Sequence, residues 1–217
     1  MDLIQAIHER RSCRAFKSDP VPRDLIEEIL GLAIRAPSAI NLQPWEFTVV
    51  VGEEKERLSR TFIKAYKEKQ ISCGPGNVKP LPKTVAKRGA KTLSMMKPFF
   101  EEMGVNPDQY INEGSSNFYG APVAIILCVD DSFSKANLVD MGITLGYFLL
   151  AAHAVGLATC PIGLICAYED EIRDLLNIPE NKCVVVGIAL GYPDPENPMT
   201  RFKSPRDDLQ EFVRWVE

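Results

Sequence analysis

A chain of 217 residues with 46% apolar and 25% charged side chains has the make-up of an ordinary globular protein, long enough for one sizeable domain with an appended lobe. Its 25 basic and 29 acidic residues leave a net charge of -4. That argues against a nucleic-acid binder, which would carry a broad basic surface. Six cysteines, at 13, 73, 128, 160, 166 and 183, form no C-x-x-C pair, and His8 and His153 are the only histidines; reduced thiols in a cytoplasmic protein and no metal are expected.

In chain order, Asp2 can cap a first helix with Gln5 at the capping-box position, and Leu3, Ile4 and Ile7 give it an apolar face. The opening "MDLIQAIHER" lacks the basic start and apolar run of a secretion signal. Helix continuing through "ERRSCRAF" (9–16) would place Arg10 and Arg14 four residues apart on one face. A second helix begins at Pro22 and ends at Pro37, with Leu25, Ile26, Ile29, Leu30 and Ala33 at helical spacing. "EFTVVVG" (46–52) reads as a strand, 54–70 as a charged amphipathic helix, and the Gly- and Pro-rich 71–83 as a loop. Residues 84–103 are helical again. "APVAIILCVDD" (121–131) is a strong strand.

Residues 141–166 contain no formal charge and are long enough to span a bilayer. His153 in mid-run, the breaks at Gly156 and Pro161, and the lack of a basic flank favour instead a helix over about 135–156, buried all round, then a short strand at 157–160. A helix so apolar needs cover on every side, which a subunit interface would supply. A charged helix (168–177) and the strand "KCVVVGIALG" (182–191) follow. The proline-rich tail is expected to run extended before a last turn or strand that buries Trp215. Four strands interspersed with five or six helices suggest a sheet between helix layers. Neither common phosphate loop, GxGxxG nor GxxxxGK[ST], is present.

Four stretches carry candidate chemistry. Arg10, Arg11, Ser12 and Arg14 offer guanidinium forks and a hydroxyl suited to a phosphate group; compensation of the helix macrodipole explains the same cluster equally well. "RAPSAINLQPWEF" (35–47) holds Ser38, Asn41 and Gln43 on a loop pinned by Pro37 and Pro44, with Trp45 expected in the core. "TCPIGL" (159–164) has Gly163, past which a planar ligand could approach the backbone closely. "RFKSP" (201–205) alternates Arg201 and Lys203 on an extended segment, from which both could reach one anion.

In this order the four stretches resemble the FMN-dependent nitroreductase family, over nearly the whole chain. Arg10, Arg11, Ser12 and Arg14 match its Arg-Arg-Ser-x-Arg pattern. Pro37, Ser38, Asn41, Gln43, Pro44 and Trp45 match its Pro-Ser-x-x-Asn-x-Gln-Pro-Trp loop. Pro161, Ile162 and Gly163 match its Pro-x-Gly turn, "GYPDPENP" its exit from the last core strand, and Arg201 and Lys203 its C-terminal basic pair. The resemblance implies an α+β fold, a mixed four- to five-stranded sheet between helices in one domain. A helical lid would lie at about 71–118 and an extended arm at about 192–217. It implies a domain-swapped homodimer with FMN at the interface. The arginine cluster and the basic pair would hold the flavin phosphate and ribityl chain, Pro37, Ser38, Asn41 and Gln43 would come from the partner subunit, and residues 161–163 would lie at the ring.

The flavin-contacting Asn and Lys that many relatives carry after the first strand find no match, and 71–118 is longer than in compact members. Within that segment Phe118 and Tyr119 are candidate substrate contacts, with core aromatics as the alternative. The activity implied is transfer of hydride from NADH or NADPH through FMN to a nitroaromatic, quinone or similar small oxidant, with no catalytic side chain of the triad kind. Reductive dehalogenation, flavin or azoline oxidation, or flavin binding without catalysis are the alternatives on the same scaffold. No membrane or nucleic-acid partner is expected.

Overall fold

The structure, a computed structural model, describes residues 1–72, 74 and 79–217. Part of the loop expected at 71–83, with Cys73, falls outside them. Four strands, β1 (Trp45–Val51), β2 (Val123–Asp130), β3 (Ala158–Ile162) and β4 (Lys182–Gly191), form one sheet in the order β1-β2-β4-β3. All three pairings are antiparallel. The mixed sheet expected from the resemblance is thus corrected: among the described residues, parallel pairing is confined to a single bridge between Ser12 and Thr159. Segment 10–16 supplies no full strand.

Seven α-helices accompany the sheet: α1 (Leu3–Glu9), α2 (Arg23–Ala33), α3 (Gly52–Lys69), α4 (Lys83–Met103), α5 (Pro107–Ser116), α6 (Leu138–Ala154) and α7 (Glu169–Leu176). The strand period of two explains why β2 is apolar without interruption. Val123, Ile125 and Leu127 pack into a cluster with Ile26 and Ile29 of α2 and Met141 and Phe148 of α6. Ala124, Ile126 and Cys128 face the other way, toward Leu58 and Phe62 of α3 and Ile172 of α7. Each fully buried Ile, Leu or Phe contributes about 1.5–3 kcal/mol, so the two-sided core dominates stability. A third cluster, Met96, Phe100, Met199 and Phe202, ties α4 to the segment after β4.

Helix α6 is apolar around its whole circumference, yet only one face is covered within a single chain. Met141, Thr144, Phe148 and Ala152 are buried at helical spacing, and the Thr144 hydroxyl donates to the carbonyl of Ala33 (3.0 Å). Val139 remains 65% exposed, with Leu138 and Tyr147 close to half. Leu3, Ile4 and Ile7 of α1 are also exposed. Trp215, expected to be buried, is 80% exposed: the prolines at 193, 195, 198 and 205 cannot donate to a sheet ladder, and the tail ends without joining one.

Candidate active site

Helix α1 ends at Glu9, before the arginine cluster begins. Arg10 is its C-cap, with φ -56° and ψ 131°, and the chain then runs extended. The Cys13 amide donates to Thr159 of β3 (2.9 Å), the Lys17 amide to Tyr192 (2.9 Å) and the Asp194 amide to Ala15 (3.1 Å). Clamped between β3 and the exit of β4, the segment alternates sides. Arg10, Ser12 and Arg14 share one side; Arg11 and Cys13 take the other. The helical pairing of Arg10 with Arg14 is therefore replaced by a strand-like one, with Ser12 between them and Arg11 turned away.

Arg14 lies in the wall of an open cavity of about 760 Å3, beside Cys160, Pro161, Ile162, Gly163 and Tyr119. The turn at 161–163 is thus brought against the arginine segment, as the motif spacing implied. Helix α4 roofs the cavity with Val85, Ala86, Gly89, Ala90 and Leu93, a run of small and apolar residues at helical spacing. A planar, mostly apolar group with a polar edge suits such a slot.

Two tyrosines fix Arg14. The Tyr110 hydroxyl donates to its carbonyl (2.6 Å). The Tyr119 hydroxyl shares a hydrogen bond with Ser115 (3.1 Å) and also lies at the Arg14 side chain. Burial pushes Tyr119 up to about 12, so it stays protonated and neutral at physiological pH. Burial works against the charge of Arg14, but Cys160 and Tyr119 outweigh it and the net shift is upward. Phe118, Tyr119 and Gly120 all have positive φ, at 57°, 53° and 74°. Two consecutive aromatic residues in this region cost about 1–3 kcal/mol each, strain tolerated where it aims a side chain. Gly114 makes room: a Cβ there would sit 2.4 Å from the Tyr119 ring. Phe118 is turned the other way, fully buried against Phe62, and the expectation that it touches substrate is corrected: it is a core residue.

Beyond the same stretch of α4 lies a second recess, of about 400 Å3, lined by Lys87, Arg88 and Lys91 and, from the tail, Arg206, Asp207, Asp208 and Glu211. Arg10 lies within electrostatic reach of Arg206 in this recess and of Cys160 in the first cavity. Partial burial and the neighbouring charge of Arg206 hold its guanidinium below the ordinary arginine value, while Cys160 pulls the other way. Among the described residues no carboxylate pairs with Arg10. Two like charges this close, without a protein counter-ion on Arg10, fit an anionic group such as a phosphate.

Arg206 escaped the sequence reading, which chose the basic-x-basic pattern three residues upstream. Arg201 is held by both oxygens of Glu102 (2.6 and 2.5 Å) and lies over the Phe99 ring. Lys203 lines a smaller cavity with Arg11 on the far side of the arginine segment. Within one chain Arg201 is thus paired with Glu102, while Arg11 and Lys203 line a cavity distinct from the one that Arg206 lines.

Pro37, Ser38, Asn41 and Gln43 line none of these cavities within one chain. They lie on the loop between α2 and β1, closed by the Gln43 amide on Ser38 Oγ (3.0 Å) and tied to α6 by the Ala39 amide on Asp140 (3.4 Å). Ile40, Asn41 and Gln43 have φ of 41°, 62° and 49°, and Ile40 is 91% exposed. A β-branched residue in left-handed backbone, held out in water, is costly for an isolated surface.

A sequence model of the nitroreductase family matches residues 7–192. The chain is 30% identical to a 4-nitrobenzoate reductase of Pseudomonas putida, over 99% of its own length and 96% of that protein. It is 32% identical to the nitroreductase NfnB of Mycolicibacterium smegmatis, over 99% and 94%. The crystal structure of the FMN-dependent nitroreductase NfnB in complex with NADPH superposes over the full length of both chains with a TM-score of 0.87. Fold, site and relatives together define a flavin-type α+β oxidoreductase scaffold. The chain belongs to the nitroreductase family.

Proposed function

We propose that the protein is an FMN-dependent oxidoreductase that takes hydride from NADPH or NADH and delivers it to a nitroaromatic, quinone or similar small oxidant. The observation that carries this reading is the slot walled by Arg14 and Pro161–Gly163, with Arg10 close enough to Cys160 in that wall and to Arg206 to feel both, and with no carboxylate paired to Arg10 among the described residues. Those residues fit FMN. Arg10, Ser12 and Arg206 would hold the phosphate and ribityl chain. Arg14 and the main chain of Ile162 and Gly163 would meet the ring; Pro161 has no N–H to offer.

When bound, FMN supplies the redox chemistry, accepting hydride from the nicotinamide and returning it to the oxidant. The chain does the rest. Arg14, kept charged and held by Tyr110 and Tyr119, supplies positive charge where the reduced ring gains negative charge. Tyr119, protonated at neutral pH, is a donor in the same wall. The Ala86–Gly89–Ala90 stretch of α4 leaves space for a second flat molecule and limits water above the ring.

The loop with Pro37, Ser38, Asn41 and Gln43 would close the site from a second copy of the chain. Its strained, exposed Ile40, the uncovered side of α6 and the exposed apolar face of α1 support a homodimer. No helix among the described residues is long and apolar enough to cross a membrane, which accords with a cytoplasmic enzyme.

Because one slot serves both substrates, the dinucleotide must leave before the oxidant enters. Varying NADPH at several fixed concentrations of 4-nitrobenzoate should give parallel reciprocal plots. Converging lines, or no turnover with any of several nitroarenes and quinones, would count against the shared slot.

A further inference from the structure

Tyr119 is held more firmly than a wall residue of a slot needs to be. It occupies left-handed backbone at φ 53°, next to Phe118 in the same region, and Gly114 leaves its ring room. The ring lies 6.1 Å from that of Tyr110. The hydroxyl is anchored by Ser115 (3.1 Å) and faces the Ile111 carbonyl (3.4 Å). Its proton can go to either of these, which leaves the phenol oxygen to accept from the Arg14 side chain, with which it is hydrogen-bonded. A strained turn, a glycine and a buried serine thus fix one acceptor atom for one arginine.

Arg14 borders two cavities of opposite character. Among the described residues no carboxylate lines the slot. The other cavity, of about 570 Å3 and also walled by Tyr119, is lined by Glu113 and Asp194. Glu113 accepts from Gln109 Nε2 (3.2 Å) and Asp194 from the Glu196 amide (3.1 Å), but neither pairs with a cation among the described residues. Carboxylates attract a loose guanidinium strongly. A phenol already locked by packing and by its own hydrogen bonds opposes that pull at little entropic cost, because its position is fixed in advance.

Given FMN in the slot, we propose that Tyr119 is a positioning residue for the reduced state of the flavin: its hydroxyl keeps the Arg14 guanidinium at the slot, so that reduced FMN is bound more tightly relative to oxidised FMN and the midpoint potential is raised. The ring gains negative charge only on reduction, so a cation fixed beside it favours that state over the oxidised one. Tyr119 then has two separable parts. Its ring fills the space beside Gly114, and its hydroxyl aims the arginine.

The test is anaerobic redox titration of the FMN-loaded protein against reference dyes, with wild type, Tyr119→Phe, Arg14→Gln and the double variant. Tyr119→Phe keeps the ring and removes only the hydroxyl. The preference for reduced over oxidised FMN should fall about tenfold, which for a two-electron couple lowers the midpoint potential by about 30 mV. In the Arg14→Gln background the same change should have no further effect, since the hydroxyl acts through the guanidinium. Ser115→Ala, which leaves Tyr119 whole and removes the anchor of its hydroxyl, should lower the potential in the same direction, and decides the matter if Tyr119→Phe does not fold. Equal weakening of both oxidation states, with the potential unchanged, would make Tyr119 a purely structural residue and overturn the proposal. Full additivity of the Tyr119 and Arg14 changes would overturn it too. A wild-type protein that takes up no FMN would instead contradict the functional reading, and this inference with it, before any variant is made.

Discussion

Arg206 and Arg201 are five residues apart and do different work. Under the proposed assignment of Arg206 to the cofactor phosphate, Arg206→Ala removes a charge-assisted hydrogen bond worth about 1.5–3 kcal/mol, so FMN affinity should fall about ten- to hundredfold. Arg201→Ala breaks an ion pair that is more than half exposed on both sides. It should cost at most about 1 kcal/mol of stability and leave flavin affinity unchanged; fluorescence titration of the apoprotein distinguishes the two. Asp130 gives a pH signature away from the site. Hydrogen bonds from Ser132, and then Lys182, hold its carboxyl down to about 2. The unfolded chain therefore takes up this proton first. The stabilisation is fully present above about pH 4 and is lost as pH falls toward 2. Asp130→Asn should flatten that part of the urea-midpoint profile between pH 5 and 2; an unchanged profile would contradict the assignment. Single-residue roles were the least legible in the sequence. Arg10, Ser12 and Arg14 stand out as a cluster, but only the early end of α1 reveals that Arg11 faces elsewhere.

At the scale of elements, two features should respond to substitution in opposite parts of the fold. Phe148 is the large side chain by which α6 grips the sheet, fully buried and stacked on Phe47. Phe148→Ala should cost about 3–5 kcal/mol in chemical denaturation. Gly114→Ala places a methyl group against the Tyr119 ring and should cost about 1–3 kcal/mol. It should weaken flavin binding as well, because Tyr119 cannot move without releasing Arg14; loss of stability with flavin affinity intact would separate the two. Most elements could be read from the chain because periodicity and core burial agree: β2 and β4 are apolar runs covered on both faces, and α2 has one apolar stripe. The failures have local causes. Segment 10–16 looks helical by composition, but its amides bond to Thr159 and Tyr192, far away in sequence. Phe118 and Tyr119 are neighbours whose left-handed backbone sends one into the core and the other to the cavity, which no spacing rule reveals.

At the scale of the whole molecule, the surface of one chain is unfinished. Val139 on α6, Ile40 on the strained loop and Phe212 and Trp215 in the tail are all more than 60% exposed, more apolar area than a monomer usually leaves in water. Val139→Asp or Ile40→Asp should shift the protein to a monomer in analytical ultracentrifugation. Flavin should be lost with the proposed dimer, in which residues 37–43 of one copy close the site of the other; a monomer that keeps full FMN would refute the shared-site arrangement. The uncovered side of α6 was legible as excess apolarity, whereas the loop's strain was not. The central claim, that this scaffold holds FMN and passes hydride through it, is tested most directly by the visible spectrum of the purified protein under anaerobic conditions. Flavin absorbance that bleaches on adding NADPH or NADH and returns on adding a nitroarene is the predicted result. A colourless protein that cannot be reconstituted with FMN, or flavin bands that neither dinucleotide alters, would contradict it.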